Sequence, residues 1–428
     1  MKFVLASYGS RGDVEHCVAV GRELVRRRHE VHIAITPDLV CFAEAAGLAA
    51  VAFGPDLQSF VDAVLNCWTN RRQIQDLAKL RREAWELHTQ CWRELSTTLT
   101  SLAEEADLVC TGLYLEESAA NVAEYHDIPL ATLHHSPMRA NGQLVPMRVN
   151  GQLIRTLPAP LMRSVTTVNE WVSWRTAKKK VEDAQRRELG LPKARGPAPQ
   201  RITERGSLEI QAYDEVCFPG LAAEWSKWKG QRPFVGAPTM ELTTDADEEV
   251  ASWSAAGTPP IFFGFGSTPV ESPADTLAMI SAACAQLGER VLVCSGSSDF
   301  SHVPHFDHVK VVGAVNYAAT FPACRAVVHH GGSGTTAMGL RAGVPTLVLW
   351  TFPDQSMWGA QIKRLKVGTA RPFSSTTEES LVADLRWILA PQYVTRAREL
   401  ATRMTKPAAS VAAAADLVEE KARLGRFG

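Results

Sequence analysis

Residues 326–350 read AVVHHGGSGTTAMGLRAGVPTLVLW, and the order of chemistry within them decides the fold. An apolar, β-branched run ends on His329 and His330. A glycine-rich turn follows, then a helix-like stretch over 334–342 and a second apolar run, Thr346–Trp350. Strand, turn, helix and strand in that order form the repeating unit of a parallel sheet wound with helices. Gly331, Gly332 and Gly334 let the backbone come close to a ligand. Ser333, Thr335 and Thr336 bring hydroxyls and N–H groups to the positive end of the helix. Such a turn is an anion site able to hold a diphosphate, to which His329 adds a proton or a charge. The turn is neither a P-loop nor GxGxxG, because the lysine and the spacing are missing. One glycine alone would have a structural explanation; the set points to phosphate.

Working outward, FFGFGST (262–268) repeats the strand–glycine–hydroxyl arrangement. Ser267 either caps the following segment or touches the same phosphate, and the residues leave both readings open. Ile261–Phe265, Val291–Cys294 and Val309–Val312 read as strands, with a helix over 273–287. At the other end of the chain, VLASYGSRGDVEH (4–16) carries a strand into a loop and then a helix, on which Val14, Val18, Gly21 and Val25 fall at helical spacing. Strand Val31–Thr36, helix 38–46 and an apolar run to Phe53 complete β-α-β-α-β. Residues 57–105 read as helix and carry Trp68, Trp85 and Trp92; strands return at Leu108–Thr111, Leu130–Leu133 and 208–213. Residues 136–165 read as irregular, GLPKARGPAPQR (190–201) as a loop, and FPGLAAEWSKWKGQRPFVG (218–236) as a linker. The fold class is α/β, with two Rossmann-like doubly wound domains, 1–222 and 223–428, facing a cleft beyond the carboxyl ends of their strands.

Composition sets the outer bounds. The chain has 428 residues, 46% of them apolar, and single cores rarely grow past about 300 residues, which favours two domains. A net charge of −1 excludes a typical nucleic-acid binder. Nine cysteines without a CxxC pair suit reduced thiols. A strand begins directly after Met1-Lys2, without a charged leader, and no run approaches the roughly 20 apolar residues of a membrane-spanning helix. A cytoplasmic protein is expected.

Several residues invite chemistry. Asp13 stands where a strand end meets a helix N-terminus, and reads either as a base at the cleft or as a helix cap. Arg11 reads as a phosphate or acceptor ligand or as a solvated loop residue, and His16 as a partner of Asp13 or a packed residue. His134, His135 and Met138 follow a strand end and are candidates for an acceptor pocket, together with the tryptophan-rich region; core packing competes. DAD (245–247) imitates a metal-binding DxD but sits in an acidic run that reads as a helix start. HVPHFDH (302–308) spaces histidines by three, but Pro304 spoils the helical face.

GSRGD, FGFGS, VVHHGGSGTT and DQSMWGAQI together resemble the inverting glycosyltransferases of GT-B fold that act on glycopeptide antibiotics, sterols and lipids, in the same order over nearly the whole chain. NVAEYHDIP, LHHSPMRANGQ, FPGLAAEWS and VNYAATFPACRAVVHHGG resemble the mycobacterial glycopeptidolipid subgroup more narrowly. The resemblance implies a donor site on the second domain, an acceptor site on the first, and a last helix (about 407–425) crossing back. It makes Asp13 the general base and gives the diphosphate to His329 and Gly331, Gly332, Ser333, Gly334 and Thr335. Asp354 and Gln355 would hold the sugar hydroxyls, although either fits a helix cap. Ser10, Gly12 and Ser267 would adjoin the donor, and Val315 and Asn316 its base. His16 departs from the family, whose members commonly carry proline there.

The implied partners are a nucleotide sugar and a hydrophobic acceptor, with peripheral contact to the inner membrane face, and no cofactor or metal. The implied reaction moves rhamnose or 6-deoxytalose from dTDP to a lipopeptide or glycolipid hydroxyl. Transfer of glucose from UDP to a sterol or other natural product is the alternative, and a sugar-nucleotide epimerase shares the architecture. An aspartate at a helix N-terminus is a weak base, which counts against this role unless the transition state gives up its proton late or closure desolvates Asp13.

Overall fold

The computed structural model describes residues 1–57, 74–143, 148–149, 152–153, 158–268, 270, 272–296, 298–300, 303 and 306–426. Two six-stranded sheets organise them. The first contains β1 (Lys2–Ser7), β2 (Glu30–Ile35), β3 (Ala49–Ala52), β4 (Leu108–Gly112) and β5 (Leu130–His134). After a small hairpin, β6 (Arg148–Val149) and β7 (Gln152–Leu153), β8 (Leu208–Gln211) completes that sheet. The second contains β9 (Ile261–Gly264), β10 (Val291–Cys294), β11 (Val309–Val312), β12 (Ala326–His329), β13 (Thr346–Trp350) and β14 (Gly368–Pro372). Strand order is β3-β2-β1-β4-β5-β8 in one and β11-β10-β9-β12-β13-β14 in the other, and all neighbours run parallel.

Each sheet therefore reverses its strand order once, between β1 and β4 and between β9 and β12, which is where a doubly wound sheet opens a crevice. Strands β4, β5, β9, β10 and β12 are buried on both faces, so they read as apolar runs instead of alternating ones. Phe3, Leu5, Val14, Val18 and Ile33 share one fully buried cluster, each contributing about 1.5–3 kcal/mol of hydrophobic stabilisation.

The last helix, Pro407–Arg426, leaves the second half and packs on the first. Ala414, Ala415, Val418 and Ala422 are wholly buried in the cluster of Phe3 and Leu5. Its polar side pairs with the end of the first helix, Arg27 to Asp416 at 2.6 Å and His29 to Glu419 at 2.5 Å. Between the sheets, the chain returns along the free edge of β8, with Gln211 N–H donating to the Pro233 carbonyl at 2.8 Å.

The structure departs from the expected elements in three places. A helix over Ala159–Ser173 begins inside the segment read as irregular, and continues through a π turn at Trp174–Lys178 into Lys179–Glu188. A short helix, Ala198–Glu204, starts within the expected loop, with proline in its first turn, where a missing N–H costs nothing. β14, GTARP, is a strand that the sequence does not announce; its glycine and proline hide it at the sheet edge.

Candidate active site

Loops following β1, β5, β9, β11, β12 and β13 supply the candidate residues, at carboxyl ends of strands. After β1, Gly9 turns the chain at φ 130°, and a Cβ there would stand 2.6 Å from Asp13 Oδ2. Ser10 occupies the N-cap of the helix Arg11–Arg26, and Asp13 is the third residue of that helix. The Ser10 N–H and hydroxyl both donate to Asp13 Oδ2, at 2.8 and 2.7 Å. Asp13 thus caps the helix, but with one oxygen only. Oδ1 lies 3.5 Å from His135 Nε2 in the loop after β5.

Groups from the second sheet come within electrostatic reach of that carboxylate. Loss of surrounding water, reinforced by the charge of Asp13, raises the Asp354 carboxyl above its ordinary range. Burial lowers His330 to about 4, against an opposing pull from Asp13. His16 is packed: its Nδ1–H donates to the Pro238 carbonyl at 2.9 Å, and burial, helped by His135, lowers it to about 4. Arg11 is a residue of the first helical turn and not of a loop, 3.7 Å from Glu15 and 5.0 Å above the Phe42 ring.

The turn after β12 has the conformation its glycines suggest. Gly331 has φ 99°, and a Cβ there would meet Val348 Cγ1 at 2.8 Å. Gly332 is the N-cap of the helix Ser333–Ala342, without a side-chain capping bond. The Thr336 N–H makes a bond to Gly332 O at 2.9 Å, so the N–H groups of Ser333, Gly334 and Thr335 precede the helix ladder. A Cβ on Gly334 would meet nothing within 4 Å, so this side of the turn is open.

His329 Nδ1 accepts the Gly331 N–H at 3.0 Å, which places the ring proton on Nε2. That Nε2 is buried with no partner among the described residues. Burial, with His330 adding to it, lowers His329 to about 3, so it offers a neutral N–H and not a charge. His330, to which the sequence assigns no role, stands between the two glycine loops. A Cβ on Gly266 would lie 2.7 Å from its Cε1, and one on Gly332 2.6 Å from its Nε2. Paired glycine loops flanking one histidine were the available signal.

Other candidates divide. Gln355 Oε1 accepts the N–H groups of Thr351 and Phe352 at 2.8 and 3.0 Å. Gln355 therefore caps the helix Pro353–Leu365. Val315 is buried beside Phe262 and Phe321, and Asn316 caps the turn Tyr317–Thr320 by accepting from Ala318 N–H at 3.0 Å. Ser267 is half-buried and lies well before Ser272, the N-cap residue of the helix Pro273–Ala285; its capping alternative falls away.

His134 is a correction. It is wholly buried, with Nε2 3.0 Å from Glu116, beside Arg139, whose guanidinium bonds Glu116 and Glu209, and it cannot line an acceptor pocket. Side chains alternate at a strand end, so its neighbour His135 takes the opposite side. Met138 is exposed, whereas Trp92 is core, its Nε1–H donating to Gln185 at 2.7 Å. Trp68, His302 and His305 lie outside the described residues. Asp247, the last residue of DAD, accepts from Thr244 N–H and Asn316 N–H, both at 2.8 Å, as a structural staple. His308 Nε2–H donates to the Ser281 carbonyl at 3.1 Å.

Comparison with known proteins adds family context. Residues 272–422 match the family model described as the C-terminal domain of erythromycin biosynthesis protein CIII-like proteins. An uncharacterized glycosyltransferase of Mycobacterium tuberculosis (strain ATCC 25618 / H37Rv) is 62% identical over 429 residues, covering 100% of both chains. The crystal structure of the kitacinnamycin glycotransferase matches with a TM-score of 0.72 over 98% of each chain, at 17% identity. The glycosyltransferase VinC, solved in complex with dTDP, matches with a TM-score of 0.64 over 100% of each chain, at 18% identity.

Proposed function

Since the chain belongs to the glycosyltransferases of GT-B fold, we propose that it is an inverting enzyme with a dTDP-sugar donor. It moves a 6-deoxyhexose, such as rhamnose or 6-deoxytalose, to a hydroxyl of a hydrophobic lipopeptide or glycolipid. Asp13 takes the acceptor's proton, the freed oxygen bonds to the anomeric carbon from the face opposite the phosphate, and the bond from that carbon to the diphosphate breaks. The departing dTDP gains negative charge. It is met by the N–H groups of Ser333, Gly334 and Thr335, the positive end of their helix, and the neutral Nε2–H of His329. Asp354 and the Gln355 amide Nε2 hold the sugar hydroxyls. Ser10, Gly12, Ser267, Val315 and Asn316 adjoin the nucleotide. His135 and Met138 border the acceptor, which reaches the enzyme at the inner membrane face, and no metal ion takes part.

The observation that carries this reading is the divided use of Asp13. Oδ2 is spent on the helix cap, while Oδ1 faces His135 within electrostatic range of Asp354 and His330. The dTDP in the VinC structure supports the choice of nucleotide. A thermal-shift series with dTDP, UDP and GDP sugars tests it. Selective stabilisation by dTDP sugars is expected, worth about 2.7 kcal/mol at a hundredfold excess over Kd. A response to UDP-glucose alone would favour transfer of glucose to a sterol or other lipid, and no response to any of them would overturn the diphosphate site.

A further inference from the structure

The helix bearing Asp13 and the helix bearing the phosphate turn both grip one four-residue segment between the sheets, Ala237–Met240. From the first helix, Glu15 Oε1 accepts the Met240 N–H at 2.7 Å and His16 Nδ1–H donates to the Pro238 carbonyl at 2.9 Å. From the second, Arg341 donates to the Ala237 carbonyl at 2.7 Å and to Thr239 Oγ1 at 2.8 Å. Four consecutive residues are thus held alternately from two sides. Arg341 also donates to the Thr405 carbonyl at 2.7 Å and to Ser410 Oγ at 3.3 Å, where the chain enters its last helix. Asp214 braces the same point, with Oδ1 accepting the Thr405 N–H at 2.6 Å.

Arg341 lies in the last turn of the helix whose first turn is Ser333–Thr335. A helix is stiff over ten residues, so fixing one end fixes the other. A guanidinium offers five N–H groups in one rigid plane, a fan that lysine cannot reproduce.

We propose that Arg341 is a positioning residue: by clamping Ala237–Met240 against Glu15 and His16, it sets the distance between Asp13 and the phosphate turn. This rests on the roles given above to Asp13 and Ser333–Thr335. The coupling also gives His16 a purpose that its sequence position did not suggest.

The test uses the full chain and two readouts, dTDP affinity by calorimetry and release of dTDP from dTDP-rhamnose by water in the absence of an acceptor. Arg341→Ala is expected to lower kcat for hydrolysis about 10- to 100-fold with the dTDP Kd within about threefold, as a misplaced reacting group does. Arg341→Lys, the milder variant should the alanine fail to fold, is expected to show the same split. Glu15→Ala is expected to lower kcat about tenfold, whereas Glu15→Gln keeps the Oε1 acceptor and restores it. The double alanine variant is expected to match Arg341→Ala, because both changes release one segment. Losses that multiply in the double variant, or an effect confined to dTDP affinity, would overturn the coupling. Gly334→Val checks the premise separately: unchanged dTDP affinity there would remove the phosphate site itself.

Discussion

In the proposed reaction Asp13 does two jobs with two oxygens, and the division can be tested by a change of one atom. An asparagine in its place would keep an oxygen to accept from the Ser10 N–H and lose the basic carboxylate. Asp13→Asn is therefore expected to leave the melting temperature nearly unchanged while turnover of the donor sugar falls about 10²- to 10⁴-fold. Normal turnover in that variant would assign the proton to another group, of which His135, 3.5 Å away, is the nearest named candidate. Residue positions were unevenly legible. Gly331 and Ser333 could be placed at a turn and Asp13 at a helix start from their spacing, because a strand-turn-helix pattern fixes where such residues sit. His134 and His135 could not be told apart, since a doubled histidine gives no phase for the strand end, and only the register of β5 decides which ring is buried. His330 escapes a reading of the sequence because its role depends on two loops about 65 residues apart, brought together by the pairing of β9 with β12.

At the scale of elements, the site is a set of loop conformations that particular residues permit. Gly331 is the sharpest case, with φ 99°, Val348 at 2.8 Å and the Gln355 carbonyl at 3.0 Å from any added Cβ. Gly331→Ala is expected to cost about 1–3 kcal/mol of stability, read by urea denaturation, and to weaken nucleotide binding in parallel. A stable variant with intact binding would show that the turn tolerates another conformation. Parallel strands and their helices were legible, because burial on both faces leaves continuous apolar runs such as FVLA and VLVC. β14 was not, because an edge strand of five residues with glycine and proline lacks any such run. The helix starting at Ala159 was hidden by the prolines before it, which mark a helix beginning as readily as a loop.

At the scale of the molecule, buried neutral histidines tie stability to acidity. His16, His88 and His330 have folded values near 4 and His329 near 3, below the ordinary histidine range, because burial disfavours the cation. Between about pH 6.5 and 4 the unfolded chain binds these four protons and the folded chain does not, so stability is present above that window and is lost as pH falls through it. Unfolding free energy is expected to drop by roughly 5 kcal/mol per pH unit near pH 5.5. Urea titrations at pH 7, 6 and 5.5 measure this, and a flat profile would mean that the rings are hydrated. The helix Pro407–Arg426 has a consequence of another kind. Its Ala414, Ala415, Val418 and Ala422 complete the core formed around β1. A ribosome makes β1 well before that helix, so the amino-terminal core stays open on one flank until the helix has emerged and docked. In that interval the bare apolar flank is exposed to aggregation or to a holding chaperone.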